Sequence, residues 1–530
     1  MKQLSRTILL LTLAACIMVA CSSGSGDREL SGECAYCEQY RPAFHFSPDS
    51  MWTNDPNGLV YYAGEYHLFF QHHPSGNTWG PMHWGHAVST DLIHWKQLPI
   101  ALYPDSLGYI FSGSAVIDRA NSSGFGTAEH PPMIAIFTHH NPELETSGSI
   151  TFQNQSIAYS TDRGRSWTKY EGNPVLVNPG IRDFRDPKVI RYEPGGNWIM
   201  VLAAYDRVMF YSSPDLIHWS YESEFGENKG AHGGVWECPD LLPLEVEGAT
   251  KWVLLVSINP GGPNGGSGTQ YFVGEFDGSK FICENCNGLP LWIDYGKDNY
   301  AGVTWSGIPK EDGRKIFLGW MSNWQYANQV PTRRWRNAMT LPRELTLRKQ
   351  NGLIRLNTLP VRETVILRES GHSLEPRKIT EKVEIISPGD AGQGLLELEL
   401  LFHPAEGITP EETDNFGILL CNLRDTLGVD FDLRNQEVII DRRRSGIDDF
   451  SPDFPGSHRA PLKTDKEGSI RLHAFIDRSS IELFINGGTC VMTEIFFPEQ
   501  PYEQVLVYAD GIPVELVSGS FHTLKNIWKQ

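Results

Sequence analysis

Three carboxylates in this 530-residue chain are presented in ways that could do chemistry. Asp55 lies in Trp52-Thr53-Asn54-Asp55-Pro56-Asn57-Gly58-Leu59, where Pro56 presets φ and Asn57 or Gly58 accepts positive φ. Such a run predicts a sharp turn holding an acid at a strand end. Asp186 lies in Arg185-Asp186-Pro187, and Glu237 in Trp236-Glu237-Cys238-Pro239. Singly, these could be a turn residue, half of a salt bridge and an exposed strand end. Together they meet the needs of glycosidic hydrolysis, which uses an acid for the leaving oxygen and a carboxylate for the cationic sugar carbon. Asp55, with backbone N–H groups near, is expected to stay ionised. Asp186 should be kept charged by Arg185. Glu237 has apolar sequence neighbours that raise its pKa if they also surround it in space.

The elements that must position these acids read as short strands. From Phe44 to about Arg343, runs such as Leu59-Val60-Tyr61-Tyr62 and Lys251-Trp252-Val253-Leu254-Leu255-Val256 alternate with turns, and long helical periods are absent. A degenerate repeat punctuates them. Ser89-Thr90-Asp91-Leu92-Ile93-His94-Trp95 returns as Ser213-Pro214-Asp215-Leu216-Ile217-His218-Trp219, and more loosely as Ser160-Thr161-Asp162-Arg163-Gly164-Arg165-Ser166-Trp167. Repeated antiparallel sheets with variable loops fit a propeller, and roughly 300 residues at roughly 60 per blade give about five blades. Recurrent hairpins without radial symmetry are the alternative. Beyond residues 346–360, alternation in Leu396-Glu397-Leu398-Glu399-Leu400, Val429-Asp430-Phe431-Asp432-Leu433 and Ile481-Glu482-Leu483-Phe484-Ile485 predicts a β-sandwich. The expected class is all-β, with a propeller over 41–345, a linker over 346–360 and a sandwich over 361–530. Ser445 to Lys463 reads as loop, and the charged runs of the second domain as solvated faces.

Composition narrows the partners. The net charge is −19 with 45 Lys+Arg and 64 Asp+Glu, without a basic stripe, which argues against nucleic acid. Fifteen Trp and a neutral substrate are compatible. Residues 1–21 read as an export signal, basic at Lys2 and Arg6 and apolar from Ile8 to Ala20. Cys21, preceded by Met18-Val19-Ala20 and followed by a polar tether over 22–40, is the lipid-anchor candidate; cleavage without lipid is the alternative. The apolar run is short for a membrane span, so membrane contact is expected only through that anchor. Cys34/Cys37 and Cys283/Cys286 are spaced for disulfides or for zinc, and export favours disulfides. Adjacent histidines (His72-His73, His139-His140) point to opposite faces of a strand, so they chelate poorly and no metal or cofactor is expected.

The three acidic motifs resemble the signatures of glycoside hydrolase family 32, the invertases, inulinases and levanases. The likeness continues through Gln71, Trp79, Phe111-Ser112-Gly113-Ser114, Trp305-Ser306-Gly307, Gly319-Trp320-Met321-Ser322-Asn323-Trp324 and Asp477-Arg478-Ser479-Ser480-Ile481-Glu482-Leu483-Phe484. It implies a five-bladed propeller followed by a sandwich. It also implies Asp55 as nucleophile, Glu237 as acid/base and Asp186 as transition-state stabiliser. Asn54, Gln71, Trp79, Phe111, Ser112, Arg185 and Trp305 would bind a fructose unit. Thr53, where the family often has Met, is expected to change packing only. The implied activity is retaining release of fructose from levan or inulin, with sucrose a minor substrate. The alternatives are endo action, an inverting five-bladed glycosidase such as an arabinan-degrading enzyme, a glycan-binding propeller without catalysis, and an adhesin whose sandwich is the working part.

Overall fold

The computed structural model describes residues 36–127, 129–286, 288–350, 352–404, 415–464, 468–511 and 513–528. The signal, Cys21, the tether up to residue 35 and Cys34 lie outside the described residues. Among those described, one five-residue helix (Pro142–Thr146) and one 3₁₀ turn (Arg362–Leu367) interrupt an otherwise all-β chain.

Five antiparallel sheets form the propeller, and their innermost strands are Met51–Tyr62, Tyr109–Ile117, Phe184–Tyr192, Val235–Val246 and Tyr300–Thr304. Each inner strand touches the next and the fifth touches the first, closing the ring. A clasp adds to this closure, because Met51 and Trp52 pair in parallel with Trp335 and Arg336. The repeat seen in the sequence falls at the same place in the first three blades, between the third and fourth strands. Asp91 Oδ1 accepts from the N–H of Ile93 and His94, and Asp215 Oδ1 from those of Ile217 and His218. Asp162 does the same for Arg165 and Ser166. Asp277, in the fourth blade, repeats the turn on Ser279 and Lys280 without a Trp to advertise it. The residue after each Asp is left-handed: Leu92 (66°), Arg163 (60°), Leu216 (68°) and Gly278 (99°).

Every inner strand carries a bulge near its start, two residues facing one on the neighbouring strand. The pairs are Asn54-Asp55, Phe111-Ser112, Asp186-Pro187, Cys238-Pro239 and Ala301-Gly302. Three prolines (Pro56, Pro187, Pro239) sit at or next to these bulges because an inner edge strand needs no N–H there. The Asp-Pro-Asn-Gly run is therefore no chain reversal: a 12-residue strand passes straight through it. Gly58 is required by its φ of 58° and by Phe69 and Trp84, which a Cβ would meet at 2.7 Å.

The second domain packs a seven-stranded sheet on a six-stranded one. Leu396, Leu398, Leu400, Val429, Phe431, Ile481 and Leu483 fill its core, as alternation predicts. Of residues 346–360, expected to be a linker, 346–350 and 353–360 are instead in the hairpin Arg343–Gln350/Leu353–Pro360 that completes the fifth blade. Within the expected loop, Ser457–Pro461 forms an edge strand on Glu437–Arg444.

The charged positions of this domain correct a further expectation. Asp477, Glu482, Glu494 and Arg442 are fully buried against the propeller rather than solvated. Asp477 accepts from the N–H groups of Ala43 and Phe44, and His45 bridges Asp477 (2.7 Å) and Glu482 (2.8 Å). Arg343 joins Asp294 (2.8 Å) and Glu482, while Arg442 joins Asp298 (2.6 Å) and Glu494 (2.8 Å). These strands are covered on both faces, so outward positions became interface. Buried ion pairs add little net stability, but losing one partner costs about 3–5 kcal/mol, so the network fixes one relative placement of the two domains.

Candidate active site

The bulges bring the candidate acids to one end of the ring. Asp55 receives hydrogen bonds from Asn54 Nδ2 on Oδ1 (2.9 Å) and from Ser112 Oγ on Oδ2 (2.8 Å). Asn54 is in turn held by the indole N–H of Trp52 (2.8 Å), so its amide is engaged at both ends. Asp186 has φ of 64°, the left-handed region that a non-glycine residue occupies at a cost. Its N–H donates to Thr138 Oγ1 (3.0 Å) and its Oδ2 accepts from the N–H of Cys238 (3.0 Å). The Cys238 thiol lies 3.5 Å from Asp55 Oδ2 and 3.7 Å from Asp186 Oδ2, bridging the two acids. Burial and the three carboxylates push that thiol well above its ordinary pKa, so it stays protonated.

Glu237 stands at the edge of this group. Arg185 donates to its Oε1 from Nε (3.2 Å) and Nη2 (3.0 Å), and the hydroxyl of Tyr300 donates to Oε2. The apolar surroundings expected from Trp236 and Cys238 are absent. Strand alternation turns Trp236 outward into the core between blades, and the bulge turns Cys238 toward the aspartates. Glu237 thus sits among polar groups.

The electrostatics revise both aspartate expectations. Burial, followed by the charge of Glu237, raises the pKa of Asp55, outweighing Asn54 and Ser112. Asp186 is pushed up to about 7, chiefly by burial and then by Glu237 and Asp55 against the pull of Arg185. Arg185 lies 3.9 Å from Asp186 but directs its donors to Glu237 and to Asp183 (2.6 Å). Three acids share one buried guanidinium, and such a group retains a proton near neutrality.

The remaining candidates divide. Phe111 stacks on His140 (4.2 Å between centroids), and Trp79, 41% exposed, stands edge-on to it at 6.1 Å, forming a rim. Gln71 faces the Asn54-Asp55 bulge with its Nε2 buried and unpartnered among the described residues. Thr53 does more than pack: its hydroxyl donates to the carbonyl of Gln71 (3.1 Å). Trp305 is not brought to the cluster. It is 3% exposed, its N–H donates to the carbonyl of His67 (2.9 Å), and it stacks on Trp95. It follows the fifth inner strand at its far end, about 15 Å along the chain from Tyr300.

Residues 45–357 match the description "Glycosyl hydrolases family 32 N-terminal domain", and residues 363–525 match "Glycosyl hydrolases family 32 C terminal". The chain belongs to glycosyl hydrolases family 32. A levanase of Bacillus subtilis (strain 168) is 46% identical over 532 residues, covering 99% of this chain and 76% of that protein. An extracellular exo-inulinase of Aspergillus ficuum is 38% identical over 524 residues, 93% of this chain and 96% of the relative. Among solved structures, the exo-inulinase from Aspergillus awamori superimposes with a TM-score of 0.85 at 34% identity, covering 93% and 100% of the two chains.

Sequence reasoning missed one residue of this family 32 site. Tyr300 occupies in the fifth blade the place that Arg185 and Glu237 hold in the third and fourth, immediately before the bulge. The signal is Tyr300-Ala301-Gly302, in which Ala301 takes a φ of 53° and Gly302 admits the ring of Phe317. Without an acid or a proline, it did not read as a member of the series. Cysteine pairing proved simpler: Cys283 and Cys286 form a disulfide, and Cys37 is disulfide-bonded.

Proposed function

We propose that this chain hydrolyses β-fructans from their ends and releases fructose with retention of configuration. Asp55 attacks the anomeric carbon of the terminal fructofuranosyl unit while Glu237 gives a proton to the departing oxygen. Water, deprotonated by Glu237, then attacks the fructosyl–Asp55 ester and frees fructose. The observation that carries this reading is the convergence of Asp55, Asp186 and Glu237, with donors from separate blades on each carboxyl. Ser112 and Asn54 orient Asp55. Asp186 binds sugar hydroxyls and stabilises the cationic centre as it forms. Tyr300, whose pKa is pushed well above the ordinary value by burial and by Glu237, remains a hydroxyl. It can donate to the Glu237 carboxylate or accept from the carboxylic acid, which suits a residue that alternates between the two.

Levan and inulin are the proposed polymers, sucrose a minor substrate, and action from chain ends is supported by likeness to proteins named exo-inulinase. Likeness to proteins named extracellular supports export, with Cys21 as the proposed lipid anchor. Incubation with levan, inulin and sucrose, with products resolved over time, tests the activity. Fructose alone from the first points is expected; a ladder of oligosaccharides replaces exo with endo action.

A further inference from the structure

Two loops from neighbouring blades meet beside the acids. Loop 74–82 leaves its strand at His73, which pairs with Trp52, two residues before Asn54. Loop 322–334 leaves the fifth blade after Met321, beside Trp320, the partner of Tyr300. Both therefore stand at the end of the ring that holds the carboxylates. The first loop carries Trp79, 41% exposed and edge-on to Phe111, and Phe111 precedes the Ser112 that donates to Asp55.

The first loop gives Trp79 little rigidity of its own. Pro74-Ser75-Gly76-Asn77-Thr78-Trp79-Gly80-Pro81 contains two glycines, whose backbones have the most freedom to lose on ordering. Both are needed, because a Cβ on Gly76 or Gly80 would meet the His73 ring at 2.2 or 2.5 Å. His73 Nδ1 donates to the carbonyl of Thr78 (2.9 Å). Further ties come from the other loop. Asn328 Oδ1 accepts from the N–H of Trp79 (2.9 Å), and Asn77 Nδ2 donates to the carbonyls of Thr332 (3.2 Å) and Arg333 (2.5 Å). Arg336 shapes that second loop: Nη1 donates to the carbonyl of Asn328, and Nη2 to those of Val330 (3.1 Å) and Thr332 (3.0 Å). Its own place is fixed by the pairing of Trp335 and Arg336 with Met51 and Trp52. A chain of contacts thus leaves the strand that bears Asp55 and returns to Trp79 through Arg336 and Asn328.

We infer that Asn328 and Arg336 are positioning residues of the reaction, which hold Trp79 at the mouth of the site so that its ring meets the bound sugar already ordered. The inference rests on fructan hydrolysis as the activity. A rim contact is made equally before and during bond cleavage, so its loss is felt in KM and not in kcat. In the full chain, Asn328→Ala raises KM for inulin about 2- to 10-fold, the range for one hydrogen bond, with kcat unchanged. Asn328→Asp, which keeps the accepting oxygen, keeps the wild-type KM. Arg336→Lys, which cannot serve three carbonyls at once, raises KM as Asn328→Ala does. In a chain already carrying Trp79→Ala, Asn328→Ala adds nothing, because a residue that acts through Trp79 has no further route.

Hydrogen exchange of the peptide over residues 74–82 reads the same contact without substrate. It quickens in Asn328→Ala and not in Asn328→Asp. Unchanged exchange or unchanged KM in Asn328→Ala overturns the inference, as does an undiminished effect of Asn328→Ala in the Trp79→Ala chain. Absence of fructose release by the unsubstituted chain overturns the activity, and the exchange measurement still decides whether Asn328 holds Trp79.

Discussion

Tyr300 and Arg185 hold opposite oxygens of Glu237, the first on Oε2 and the second on Oε1. They come from the fifth and third blades, so the carboxyl is oriented by the ring rather than by its own strand. Removing the hydroxyl in Tyr300→Phe should lower kcat about 10- to 100-fold, as expected for a hydrogen bond to a charged group of about 1.5–3 kcal/mol. The pH–rate profile should shift as well. An unchanged profile and rate would show that Tyr300 only packs.

The sandwich reaches this tyrosine through the segment before it. Thr493 and Ile495 donate to Asp294 (2.9 Å) and Asp298 (3.0 Å), and the N–H of Asp298 donates to the carbonyl of Thr493 (3.1 Å). A Cβ on Gly296 would meet the Thr493 backbone at 2.2 Å. Gly296→Ala should therefore push the segment off the sandwich, costing about 1–3 kcal/mol of stability. Activity should fall beyond the loss of folded protein. Thermal melts alongside kcat measured well below Tm separate the two effects.

Asp55→Ala and Glu237→Ala should each lower kcat by at least about 10³-fold, because nucleophile and acid/base have no substitutes nearby. Neither should lower Tm appreciably, since each removes one of three crowded acids. A substantial drop in Tm would assign these residues to the fold instead.

Asp186 gives a pH signature. Its folded pKa, about 7, lies above its ordinary 3.8, so the folded state binds the extra proton between these values and stability falls as pH rises through that window. Asp186→Asn should remove this slope, with the gain in Tm over wild type growing from pH 4 to pH 7 and then levelling. A gain independent of pH would contradict the proton on Asp186.

His45 has the opposite sign. Burial opposes its charge, but Asp477 and Glu482 outweigh it and hold the imidazole at about 9 against an ordinary 6.5. Its contribution to stability is complete below pH 6.5 and is lost as pH rises through about 9. His45→Gln should destabilise most at pH 6 and progressively less toward pH 9.5, read by thermal melts.

Much of this was legible in the sequence. The three acidic motifs, the Ser-x-Asp turns that mark successive blades and the alternation of the sandwich strands are local patterns. What escaped depends on neighbours remote in the chain. Trp236 and Cys238 flank Glu237 in sequence yet face elsewhere in space, and Arg185 adjoins Asp186 but serves Glu237. Trp305 belongs to a motif but stands at the wrong end of its strand. Asp477 and Glu482 alternate as surface residues do, and only the packing of the sandwich on the propeller buries them.

The proposed double displacement is tested most directly by the anomer first released. Proton NMR during the first minutes of fructan hydrolysis should show β-fructofuranose appearing ahead of its mutarotation products. Initial release of α-fructose would contradict a covalent intermediate on Asp55.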